Sequence, residues 1–176
     1  MIKFSVDYLL LQKIDINFQN SFGNTALIVA ASCGKNDVID RLLQNKDCNI
    51  NISDNSKNTA IFYATQNGNL EIVDKLIVNG NNIWHINTYG ETLLHFAARS
   101  KNPKVIERVL SFGFDINQQG YSGWTPLMNA VFYDNIKAVK ILLEYGADTT
   151  IKNNNGKKAV DFTKREEIIN LLNQYC

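Results

Sequence analysis

Apolar positions in this chain follow a helical pattern that returns about once every 33 residues. Ile72, Val73, Leu76 and Ile77 stand at the spacing of one helix face. The same apolar pair recurs in phase as Leu42-Leu43, Val109-Leu110 and Leu142-Leu143. Ahead of each such segment lies a shorter one, opened by a Gly-x-Thr-x-apolar element. It reads Gly23-Asn24-Thr25-Ala26-Leu27, Gly90-Glu91-Thr92-Leu93-Leu94 and Gly123-Trp124-Thr125-Pro126-Leu127, with weaker copies at Lys57-Asn58-Thr59-Ala60-Ile61 and Gly156-Lys157-Lys158-Ala159-Val160. The threonine register falls at 25, 59, 92, 125 and 158, in steps of 34, 33, 33 and 33. Alanine follows five residues later at Ala30, Ala64, Ala97 and Ala130. Several independent positions keep one period, so the chain is a repeat array.

Each repeat predicts two helices. Threonine offers its side-chain oxygen to the free N–H groups of a first turn, and in the fourth repeat Pro126 follows where its missing N–H costs nothing. Small alanines allow the first helix to approach its neighbour closely. Gly34 and Gly68 mark the turn between helices, and Gly80, Gly113 and Gly146 predict left-handed caps that stop the second ones. A closing element follows: Asn49-Ile50-Asn51, Asn82-Ile83-Trp84, Asp115-Ile116-Asn117 and Asp148-Thr149-Thr150. The one-residue insertion falls in Asn45-Lys46-Asp47-Cys48, where a longer loop costs little. A single unit cannot bury its own apolar face, so stacking has to supply the core.

These residues resemble the ankyrin repeat, whose 33-residue unit carries a T-P-L-H-x-A signature. The resemblance spans essentially the whole chain. It implies a mainly α solenoid of stacked helix-turn-helix units joined by β-hairpin loops. On that register 1–16 is an N-terminal partial repeat in which Phe4 to Leu11 form a second helix. Four repeats follow at 17–50, 51–83, 84–116 and 117–149, and 150–176 is a capping repeat, all in one domain. There are departures. His95 alone holds the family's histidine position, which elsewhere is Ile28, Phe62, Met128 or Asp161, so the expected threonine–histidine bond is available only to Thr92. Lys101 and Asp134 replace the inter-helix glycine, which predicts weaker turns in the third and fourth repeats.

Composition removes other classes of function. Eighteen basic residues against 17 acidic ones leave a net charge of +1 and no broad footprint for nucleic acid or an anionic membrane. The basic cluster Lys152, Lys157, Lys158, Lys164 and Arg165 is interrupted by acids and reads as a solvated cap. No apolar run approaches the ~20 residues needed to span a bilayer. The first residues lack a small-residue cleavage site and read as mature structure. Cys33, Cys48 and Cys176 are scattered, as reduced thiols of a cytosol-like compartment would be. His85 and His95 are the only histidines, and neither has a cysteine at ligand spacing. Cys33 lacks an evident base, and no phosphate-binding glycine motif is present. No catalysis, cofactor or metal is therefore expected.

What remains is recognition of another protein by a monomeric, cytoplasmic chain or one delivered into a host cytosol, and the resemblance implies the concave face of hairpin tips and first helices. Its variable positions in the second repeat are mostly small and polar. The third and fourth repeats instead place Ile86, Tyr89, Glu91, Arg99, Tyr121, Ser122, Trp124, Phe132 and Tyr133 there. Aromatic residues and arginine dominate interface energetics, and no core packing is expected for these rings. Phe132 and Tyr133 have an alternative as filling between repeats, and Trp84 one as a brace for the hairpins. Use as an adaptor, an inhibitor or immunity-type partner, or a host-directed effector stays open. The resemblance also implies a second role, as a substrate of asparagine hydroxylation at Asn17, Asn51 and Asn117.

Overall fold

The structure, a computed structural model, describes residues 15–175, so the predicted helix at Phe4 to Leu11 lies outside the described residues. The chain divides into two compact units. One takes the described residues up to Ala64 together with Asn69–Ile83, and the other takes Thr65–Gly68 together with the described residues from Trp84 onward.

In the first unit, α1 (Ala26–Ser32) and α2 (Asn36–Gln44) form one antiparallel pair. The start of α3 (Ala60–Gln66) and all of α4 (Leu70–Val78) supply the next. Thr25 Oγ1 accepts from the Ile28 N–H at 3.3 Å, as its N-cap position predicts. Thr59 departs from that role, since its buried hydroxyl has no partner. Ile39, Leu42, Ile61, Phe62, Ile72 and Leu76 fill the core between the pairs. The closing asparagines staple successive loops. Asn17 Oδ1 accepts from the Asn49 N–H at 2.8 Å, and Asn51 Oδ1 accepts from the Asn82 N–H at 2.8 Å.

The second unit continues with α5 (Leu93–Arg99), α6 (Pro103–Leu110), α7 (Pro126–Phe132) and α8 (Ile136–Glu144). First helices pack on first helices and second on second: α5 lies on α7, and α6 on α8. A 3-10 turn at Ala159–Phe162 takes the place of the last first helix, and α9 (Glu166–Gln174) closes the stack. Leu94, Ile106, Leu127, Met128, Leu142 and Ile168 are fully buried here. Gly80, Gly113 and Gly146 stand at φ of 88°, 82° and 89°, the predicted left-handed stops. Among the described residues the connections are turns with one isolated bridge, Ser53 to Thr59, rather than extended ladders. No described helix is long and apolar enough to cross a membrane.

The two altered inter-helix turns are solved differently. Asp134 adopts the left-handed conformation itself, at φ 52°, and its carboxylate pairs with Arg165 at 2.8 Å. The third repeat avoids that conformation. Ser100 is extended after α5, Asn102 caps α6, and Pro103 occupies its first turn. Asn135 Nδ2 then donates to the freed carbonyls of Ala98 and Ser100 at 3.0 and 2.6 Å. Both replacements thus come with hydrogen-bonded or charged partners that the sequence reading did not supply.

Candidate partner-binding site

All nine predicted contact residues belong to the second unit. The hairpins that carry them obey a local rule. In the first hairpin Asn20 N–H donates to the Asn24 carbonyl, and Gly23 N–H donates back to Asn20 at 2.8 Å. Asn20 Oδ1 fills the loop by accepting from the N–H groups two and four residues on, Phe22 at 2.9 Å and Asn24 at 3.0 Å. Asp54 does the same with Ser56 and Asn58 at 2.8 and 2.9 Å. Asn87 does so with Tyr89 and Glu91, both at 2.9 Å, and Asn153 with Asn155 and Lys157, both at 3.0 Å.

The fourth hairpin keeps the same backbone bonds, Gly120 N–H to the Trp124 carbonyl at 2.9 Å and Gly123 N–H to Gly120 at 2.8 Å. Glycine at position 120 has no side chain to fill it. The Ser122 and Trp124 N–H groups consequently have no acceptor among the described residues. Gly120, Ser122 and Trp124 instead line a cleft of about 380 Å³, together with Tyr89, Glu91, Arg99, Asn129, Phe132 and Tyr133.

Charged and amide groups form one wall of that cleft. Arg99 pairs with Glu91, and its Nε and Nη2 donate to Asn129 Oδ1 at 3.3 and 3.2 Å. Its guanidinium also lies 4.6 Å from the Phe96 ring centroid and 5.6 Å from that of Tyr133. Glu91 accepts a further bond from Asn87 Nδ2 at 3.1 Å, so the ion pair is held from both sides. With its oxygen committed to Arg99, Asn129 is left with a buried Nδ2 that has no partner.

Beneath the cleft, His95 links the third hairpin to the fourth. Thr92 N–H donates to Nδ1 at 3.1 Å, with Thr92 Oγ1 2.9 Å away. Because Nδ1 accepts, Nε2 carries the proton and donates to the Trp124 carbonyl at 3.1 Å. The predicted threonine–histidine contact is therefore present, and it fixes one tautomer. Burial pushes the imidazole below its ordinary range, although the bond to Trp124 acts the other way.

The aromatic predictions divide. Phe132 and Tyr133 are 57% and 49% exposed, so neither fills the core between repeats. Tyr89 is exposed on the hairpin tip. Trp124 corrects the expectation that no packing would reach it. It is half-buried, with its ring centroid 4.5 Å from Phe162 and 5.4 Å from Phe132. The 3-10 turn that ends at Phe162 brings that ring onto the indole, a contact no motif announces. Ile86 and Tyr121 do not join the cleft. They line a neighbouring one with Trp84 and Phe114, whose rings stand 4.6 Å apart. Tyr121 lies over Gly90, where an added Cβ would come within 2.6 Å of the ring. Sequence reasoning missed Gly120 and Asn129. The first was legible at positions 20, 54, 87, 120 and 153, which read Asn, Asp, Asn, Gly, Asn.

Asn17 and Asn117 are half-buried and Asn51 is exposed. Among the described residues no group of histidine, cysteine and acidic side chains is arranged to hold a metal ion. A family model described as ankyrin repeats (3 copies) matches residues 3–87 and again 63–153. No curated protein matches the chain. With paired helices, left-handed caps and a threonine–histidine capping box behind that match, the chain belongs to the ankyrin-repeat family.

Proposed function

We propose that this chain is a non-catalytic module that binds a partner protein through the face of its third and fourth repeats. Ankyrin repeats are generally protein–protein interaction modules. One observation carries the finer reading: seven of the nine predicted residues line one cleft whose rings, Tyr89, Phe132 and Tyr133, stand open to solvent. Exposed rings in this number, beside an arginine already held in place, bury large area on binding at little entropic cost. Ile86 and Tyr121 extend the surface over the adjoining cleft. On this reading 1–176 is one domain that acts as a monomer in the cytoplasm, or in a host cytosol if it is an effector, with 150–176 as its capping repeat.

The test uses the immobilised full chain to capture partners from native lysate, alongside two variants. Tyr89→Ala with Phe132→Ala removes the open rings. Val78→Ala, at a position 83% exposed in the first unit, is the control. A protein bound by the parent and the control and reduced about tenfold or more by the double variant supports the reading. Equal capture by all three removes it. Asparagine hydroxylation is favoured by one observation, that none of Asn17, Asn51 and Asn117 is buried. An intact mass of natively produced protein without an added oxygen rules that out.

A further inference from the structure

We infer that the cleft of the fourth repeat receives a carboxylate, an acidic side chain of the partner that takes the place of the Asx side chain missing at Gly120. The inference rests on the binding reading above and names the chemistry of its central contact. The template is inside the molecule. In the second hairpin Asp54 is 8% exposed; one of its oxygens accepts from the Ser56 and Asn58 N–H groups, and the other accepts from the Tyr63 hydroxyl. Position for position, Gly120 corresponds to Asp54 and Asn129 to Tyr63, each pair nine residues apart. The fourth repeat therefore retains all three donor positions, the N–H groups of Ser122 and Trp124 and the Nδ2 of Asn129, and has lost the acceptor.

Chemistry favours a carboxylate over a carboxamide. The three donors call for an acceptor on both oxygens, and an amide would turn its own N–H₂ toward one of them. Asn129 is 3% exposed, and a donor that buried is costly to leave unpaired. Arg99 adds positive charge at the same cleft, since Asn129 and Glu91 engage only its Nε and Nη2. Glu91, the other carboxylate lining the cleft, is already held by Arg99 and Asn87. The surrounding Tyr89, Phe132 and Tyr133 rings, open to solvent in the free protein, would be covered by the partner that brings the carboxylate.

The experiment is an NMR titration of the isotope-labelled full chain at constant ionic strength with three blocked probes. They are a Gly-Asp-Gly tripeptide, its Gly-Asn-Gly counterpart, and acetylated Gly-Gly with a free C-terminal carboxylate. Saturable shifts at the Ser122 and Trp124 amides are expected with the aspartate probe, at least about tenfold weaker with the asparagine probe, as loss of a hydrogen bond to a charged group predicts. Gly120→Asp supplies the carboxylate from within and should abolish the response. Its added Cβ would stand 3.0 Å from the Tyr89 carbonyl, so the comparison of probes on the unaltered protein keeps the test independent of that variant's folding. Equal response to aspartate and asparagine overturns the inference, as does a response confined to the free C-terminus or one that persists in folded Gly120→Asp. Failure here with partner capture still lost in the Tyr89→Ala, Phe132→Ala variant removes the carboxylate and leaves the binding face.

Discussion

The second and fourth hairpins share one backbone and differ in what fills it. Asp54 N–H donates to the Asn58 carbonyl at 2.9 Å and Gly120 N–H to that of Trp124 at 2.9 Å, so the two loops are closed alike. In one, a buried carboxylate satisfies two backbone N–H groups and a tyrosine hydroxyl. In the other, the residues that carry the matching donors, Ser122, Trp124 and Asn129, line a cleft. The scaffold thus sets where the backbone donors lie, and a single residue decides whether the hairpin supplies its own acceptor. The largest expected effect follows from emptying the filled loop. Asp54→Ala should cost about 3 kcal/mol in chemical denaturation, because buried donors lose a charged acceptor. Tyr63 reports the same event. Burial, then its bond to Asp54, pushes its pKa up to about 12. A raised tyrosine pKa means the neutral phenol is preferred in the fold, so its contribution is full below the unfolded value of 10.0 and is lost as pH rises through about 12. In Asp54→Ala the phenolate absorbance should appear at a lower pH. An unchanged titration would mean that burial alone holds the phenol.

The hairpins differ next in their links to a histidine. His95 holds the Trp124 carbonyl of the fourth loop, whereas the same register in the second repeat is the buried Phe62. His95 is neutral in the fold and its pKa is lowered, so the stability it contributes is complete above the unfolded value of 6.5. That stability falls as pH drops below this value, by at most about 1.4 kcal/mol per pH unit. Thermal melts across this range should show the loss, and His95→Phe should remove it. A parent that melts identically on both sides of this range would break the assignment of a buried neutral imidazole.

Legibility in the sequence followed the range of the interaction. Thr25, Thr92 and Thr125 announce their helices because an N-cap contacts residues within the same turn, and Gly80, Gly113 and Gly146 announce the stops for the same reason. The array could be read because those local rules recur at one period. Trp124 was misread as free because Phe162 lies in the cap, where a 3-10 turn replaces the helix the period predicts. Gly120 passed unnoticed because glycine in a turn needs no special account. Its meaning appears only beside Asn20, Asp54, Asn87 and Asn153. Asn129, on a helix that otherwise reads as core, gave no signal that its amide would be split between Arg99 and an empty position.

A smaller effect sharpens the comparison from the other side. Gly120→Asn should restore the two backbone bonds made by Asn20, Asn87 and Asn153. The loss of a flexible glycine from the unfolded chain adds to the gain, against the cost of easing a Cβ that stands 3.0 Å from the Tyr89 carbonyl. The net expectation is a stabilisation of about 1 kcal/mol by denaturant midpoint. A destabilised variant would show that the fourth loop is not free to be filled.

The smallest effect separates the two loops at their left-handed corner. Lys57 stands at φ 59° in the second hairpin, where the others place Gly23, Gly90, Gly123 and Gly156 at 79°, 71°, 76° and 74°. Holding a residue with a Cβ there costs about 1 kcal/mol, and glycine returns part of that through its greater freedom when unfolded. Lys57→Gly should therefore gain about 0.5 kcal/mol, and Gly156→Ala should lose about the same, since nothing lies within 4 Å of a Cβ at 156. Matched opposite shifts would mean that backbone conformation alone sets the preference at this corner. The fourth hairpin cannot follow that rule: a Cβ at Gly123 would meet Asn154 Oδ1 at 2.5 Å, where the cap docks on the tip. Glycine is thus dispensable at this corner in the second hairpin, where Lys57 stands, and a packing requirement in the fourth, beside the cleft that the missing side chain at 120 leaves open.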